Sequence, residues 1–153
     1  MFNVETVSIS IISALITSTL SAIITVKLSI KQFRTQKWWE LKANAYSNVL
    51  ESLSYLQYYF SQWFDHSVGN IKISDAHQKE LLNKYNSVIE SVTKSAATYI
   101  LNDEASTALT KLIREVENKS FSHRMANDFD ECCGLVNECI NIVRENATKE
   151  LKK

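Results

Sequence analysis

The chain has 153 residues, 17 of them basic and 17 acidic, so its formal net charge is zero. That balance argues against nucleic acid as the main partner, because phosphate binding needs a clustered basic excess. The three cysteines, Cys132, Cys133 and Cys139, are odd in number and follow no framework spacing, which points to reduced thiols.

The first element is an uncharged run of twenty-one residues, Thr6 to Val26, between Glu5 and Lys27. Twelve of these residues are apolar and nine are Ser or Thr. As a helix the run spans roughly 30 Å, the thickness of a bilayer core. A lone strand could not satisfy its backbone in lipid. A cleaved signal peptide needs a basic start and a shorter apolar core, whereas the chain begins MFNVE and its positive charges follow the run. Lys27, Lys31, Arg34, Lys37 and Lys42 outnumber Glu40 there. The positive-inside rule then places the N terminus outside and the C-terminal part in the cytoplasm. Residues 1–26 are expected to be a leader and single transmembrane helix, and Lys27, Lys31, Arg34 and Lys37 to contact lipid headgroups.

The run carries a stripe of small residues. Ser10, Ala14, Ser18 and Ala22 are spaced by four, and Ser13, Thr17, Ser21 and Thr25 form an adjacent ridge. Such faces let membrane helices approach closely and hydrogen-bond across the contact. Ser10, Ala14, Thr17, Ser18, Ser21 and Ala22 are therefore the expected self-association surface. The alternative is that each hydroxyl bonds its own preceding turn. There is no charged ring to set the selectivity of a pore.

Nothing breaks the helix after the run. The chain has no proline, and its two glycines are Gly69 and Gly134. Tyr46, Val49, Leu53, Leu56, Phe60 and Trp63 alternate steps of three and four, a heptad-like seam. The spacing predicts one helix of about 60 residues, near 90 Å long, with its weakest pattern from Ser29 to Gln36. Tyr55, Tyr58, Tyr59 and Phe64 fall partly off the seam and form a candidate face for a protein partner or a second copy.

Asp65 to Asn70 reads as the stop, with Gly69 and Asn70 able to take the left-handed conformation. Ser74 or Asp75 caps a second helix over 75–101, with a stripe of Leu81, Tyr85, Val88, Val92, Ala96 and Tyr99. Asn102-Asp103 starts a third over 104–119. The fourth, over 124–150, carries Phe129, Cys132, Val136, Cys139, Val143 and Ala147. Gly134 inside it costs about 1 kcal/mol relative to Ala, for which close helix packing is one reason. The expected fold is all-α: an N-terminal transmembrane helix continuing into an antiparallel cytoplasmic bundle of three to four helices over 27–153.

No catalytic set emerges. His66, His77 and His123 lie in or near turns and helix starts without a nucleophile or paired carboxylate. Asp128, Asp130 and Glu131 sit early in a helix, where acids suit the macrodipole. Cys132 and Cys139 are two turns apart, about 10.5 Å, too far for Zn–S bonds of about 2.3 Å to bridge. The expected protein is not an enzyme and uses no metal or cofactor.

The stretch Lys37-Trp38-Trp39-Glu40-Leu41-Lys42-Ala43-Asn44-Ala45-Tyr46, within Lys27 to Phe64, resembles small bacterial single-span inner-membrane proteins with a KWWExKxxAY juxtamembrane helix. Some of these stand beside antiviral defence genes. The resemblance implies an inner-membrane protein in defence or stress and carries over no site residues. Together these features lead to a membrane-anchored, self-associating helical protein acting as a defence or toxicity effector. The alternative is a membrane tether or accessory subunit that docks a cytoplasmic partner through its aromatic helix face.

Overall fold

A computed structural model describes residues 4–98, 100–119 and 126–152, with side chains described from residue 17 onward. Among the described residues there are four helices and no strand: α1 (Val4–Ser67), α2 (Asp75–Ala96), α3 (Asp103–Asn118) and α4 (Ala126–Leu151). The all-α expectation holds. The chain divides into two units, Met1–Glu40 and Leu41–Lys153.

The first unit is the N-terminal part of α1. From Thr17 to Glu40 every side chain is exposed.

The second unit is a bundle, and its core follows the apolar periodicities. Tyr46, Val49, Leu53, Leu56, Phe60 and Trp63 of α1 are all buried. So are Leu81 and Val92 of α2, Ala105, Leu109, Leu112 and Val116 of α3, and the whole α4 stripe from Phe129 to Ala147. Tyr85, Val88, Ala96, Ala108 and Ile113 pack against this core half-buried. Tyr99 of the expected α2 stripe lies outside the described residues.

Pairs of residues along the helices set their directions. Lys42 pairs with Glu150, Gln57 donates to Asn137 at 2.8 Å, and Trp63 stacks on Phe129 at 6.1 Å between centroids. As the number rises on α1 it falls on α4, so the two run antiparallel. The same holds for α3 and α4, through Asn102–Asn146, Lys111–Glu138 and Lys119–Glu131. Tyr59 of α1 stacks on Tyr85 of α2 at 4.5 Å.

The turns explain where the helices end. Gly69 has φ +80°, which an L side chain adopts only with strain. Its N–H donates to the His66 carbonyl at 3.2 Å, and the Asn70 N–H donates to the Asp65 carbonyl at 2.9 Å. These are the two bonds of a Schellman motif. The Ser74 hydroxyl then accepts from the His77 N–H and starts α2. α2 stops at Ala96, short of the expected 101. The chain turns there to bury Leu101 and to bring Asn102 to the N-cap of α3, where its side chain accepts from the Ala105 N–H at 2.9 Å. Gly134 does not mark a close approach: a Cβ placed there would meet nothing within 4 Å.

Candidate membrane and oligomer interface

The N-terminal part of α1 exposes apolar side chains among its polar and charged ones. Leu20, Ile23, Ile24, Val26, Phe33 and Trp39 are each about half exposed or more, from 48% at Trp39 to 64% at Phe33. Among the described residues no helix is long and apolar enough to cross a membrane. Described side chains begin at Thr17, so the earlier part of the uncharged run falls outside that statement.

Of the expected self-association residues, the side chains of Ser10 and Ala14 lie outside the described residues. Thr17, Ser18, Ser21 and Ala22 are exposed. On the neighbouring ridge, the Thr25 hydroxyl donates to the Ser21 carbonyl at 2.8 Å, and further on Thr35 donates to the Lys31 carbonyl at 3.0 Å. Back-bonding of this kind satisfies the hydroxyl hydrogen within its own helix and leaves the oxygen able to accept.

The four basic residues Lys27, Lys31, Arg34 and Lys37 are exposed. Lys37 Nζ lies 6.0 Å from the centroid of the Phe33 ring, within cation–π range. Gln36 donates to the carboxylate of Glu40 at 3.4 Å.

The aromatic face expected to be free is largely occupied by α2. Tyr59 is buried against Tyr85. Tyr55 is half-buried, with the Lys84 ammonium 4.3 Å from its ring centroid and its hydroxyl donating to the Leu81 carbonyl at 3.4 Å. Burial raises the Tyr55 pKa above the ordinary tyrosine value. Phe64 is half-buried against the core, while Tyr58 remains 45% exposed. The reason is geometric. A heptad seam buries one stripe against one neighbour, whereas α1 packs on both α2 and α4 and needs a wider apolar face.

Sequence reasoning missed a polar cluster at the end where α1 enters the bundle. Asn146 is only 2% exposed. Its side-chain N–H donates to the Ile142 carbonyl at 2.9 Å, and its oxygen accepts from the Asn102 amide. The Asn102 backbone N–H donates to the Tyr46 hydroxyl at 3.4 Å, and the Lys42–Glu150 pair closes the same end. The Tyr46 pKa is raised, chiefly by burial. One signal was available: Asn146 falls beside Val143 and Ala147 on the apolar stripe of α4. Each polar group in the cluster has a protein partner, so the arrangement orders helix ends rather than offering a binding site.

The thiols are poorly placed for chemistry. Burial pushes Cys132 up to about 11 and Cys139 up to about 12, and raises Cys133 as well; the reactive form is the thiolate. His66 Nδ1 lies 3.2 Å from the Ile71 carbonyl, and His77 Nδ1 lies 3.4 Å from the Glu80 carboxylate. His123 lies outside the described residues. Glu131 pairs with Lys119. Among the described residues no cluster of His, Cys, Asp and Glu could hold a metal ion.

No family model, no curated protein and no solved structure matches the chain.

Proposed function

We propose that the chain is a single-span, membrane-anchored helical protein without enzymatic activity, which self-associates and acts as a defence or toxicity effector at a bacterial inner membrane. Its N terminus lies outside and its helical bundle in the cytoplasm. The observation that carries this reading is the uncharged run Thr6 to Val26 with basic residues on its C-terminal side. Apolar side chains such as Leu20, Ile23, Ile24 and Val26 stand exposed on α1. Burying one such side chain fully is worth about 1.5–3 kcal/mol, so several together favour lipid over water strongly.

Self-association rests on the small-residue face. The double substitution Ala14→Ile with Ser18→Ile adds bulk where close approach is needed. It is expected to weaken oligomers in detergent and to abolish toxicity on expression. Oligomers of unchanged size would remove this face from the account.

The tether reading keeps support from Tyr58 and Leu82, which are 45% and 43% exposed. Replacing the run with an unrelated Leu-rich span separates the two. A tether keeps its activity after the swap, and a membrane-acting effector loses it.

A further inference from the structure

The stretch from Lys27 to Glu40 has a strongly uneven distribution of charge around the helix. At about 100° per residue, Lys27, Ile30, Lys31, Arg34, Lys37 and Trp38 fall within one arc of about 120°. That arc holds every basic residue of the stretch. Ser29, Gln32, Gln36 and Glu40 occupy the opposite side, where the Gln36 amide donates to the stretch's one acid, Glu40. Leu28 and Trp39 share that opposite side, and Phe33 and Thr35 lie between. Every side chain from Lys27 to Glu40 is exposed.

We propose that this arc is a binding face for anionic lipid headgroups, which sets the direction in which α1 tilts in the membrane. The inference rests on the reading of Thr6–Val26 as an anchor and adds the side of the helix that meets the headgroups and the direction of tilt. Charge complementarity decides the occupant. Two copies meeting through this arc would bring like charges together, since it contains no acid. A nucleic acid matches the charge but leaves Ile30 in water. An anionic bilayer surface accepts both kinds of side chain: lysine and arginine heads among phosphates, with Ile30 and Trp38 against the acyl boundary.

Lengths give the tilt. Lys37 stands about 17 Å along the axis beyond Val26. The headgroup layer is about 5–8 Å thick, and its field extends roughly another 8 Å at physiological salt. Lys37 is thus at the limit of the field on an upright helix. Tilting toward the basic arc, by the 20° or so usual for membrane helices, brings all four charges closer. Tilting the other way lifts them out.

The test uses the full chain reconstituted in liposomes of phosphatidylcholine and phosphatidylglycerol, with either lipid brominated to quench tryptophan. Brominated phosphatidylglycerol is expected to quench more than brominated phosphatidylcholine at equal mole fraction, and the excess should shrink in Trp38→Phe and at high salt. Lys31→Gln with Arg34→Gln should lower the preference for the anionic lipid about five-fold per charge removed. Gln32→Ala with Gln36→Ala, on the opposite side, should leave it unchanged. Equal quenching by the two lipids in liposomes that carry the protein on flotation would overturn the binding face and leave the anchor standing. A chain that fails to float with the liposomes would overturn the anchor itself. Excess quenching abolished by added RNA would assign the arc to nucleic acid and overturn the lipid proposal.

Discussion

Asn146 shows how one polar side chain can order the end of a bundle. It is buried, and it joins α4 to the Asn102 cap of α3, which in turn meets Tyr46 of α1. Replacing Asn146 with Ala removes the acceptor of the Asn102 amide and should cost about 1–3 kcal/mol, read by urea unfolding. Asn102→Ala should cost about 0.5–2 kcal/mol through the lost cap alone. The two residues share a hydrogen bond, so the double variant should lose less than the sum of the singles. The buried thiols and Tyr85 give a second prediction. Burial raises Cys132 to about 11, Cys139 to about 12 and Tyr85 to about 12, from ordinary values of 9, 9 and 10. Above pH 9 the unfolded chain therefore holds fewer protons than the folded one. Stability from these groups is complete below about pH 9 and is lost as pH rises toward 11–12. Unfolding midpoints measured from pH 8 to 11 should fall; a flat profile would contradict the burial of the thiols.

Among the elements, the two glycines carry opposite expectations. Gly69 holds φ +80° in the Schellman turn that ends α1, so Gly69→Ala should destabilise by about 1–2 kcal/mol. Gly134 sits inside α4 with open space at its Cβ position, so Gly134→Ala should stabilise by up to about 1 kcal/mol. Thermal unfolding of both variants checks the signs. The seams were legible in the sequence because three- and four-residue spacing is a local property of each helix; every α1 seam position from Tyr46 to Trp63 is buried. The end of α2 was not legible. Tyr99, Ile100 and Leu101 extend an apolar pattern, while the actual stop depends on burying Leu101 and seating the Asn102 cap, which are tertiary events. The occupant of the aromatic face was hidden for the same reason. Tyr55 and Tyr59 look like surplus apolar surface until α2 brings Lys84 and Tyr85 against them. Asn146 was hidden by chemistry: a polar residue on a stripe reads as an interruption until its partner Asn102 is seen.

At the scale of the whole molecule, the chain combines a bundle that buries most of its apolar side chains with a helical stretch that leaves its own exposed. The bundle's aromatic and aliphatic side chains cover one another across α1, α2, α3 and α4. From Thr17 to Glu40, by contrast, apolar side chains stand exposed on α1. That contrast was legible early, as a gap in charge between Glu5 and Lys27 followed by basic residues, because length, apolarity and charge are read directly from the residues. A partner surface on the bundle was not legible, since recognition depends on surface shape that no local spacing encodes. The central question is whether the uncharged run crosses a membrane. Alkaline carbonate extraction of membranes from cells expressing the full chain tests this most directly. An anchored protein is expected to stay in the membrane pellet; recovery in the carbonate supernatant, with the chain intact, would contradict the anchor.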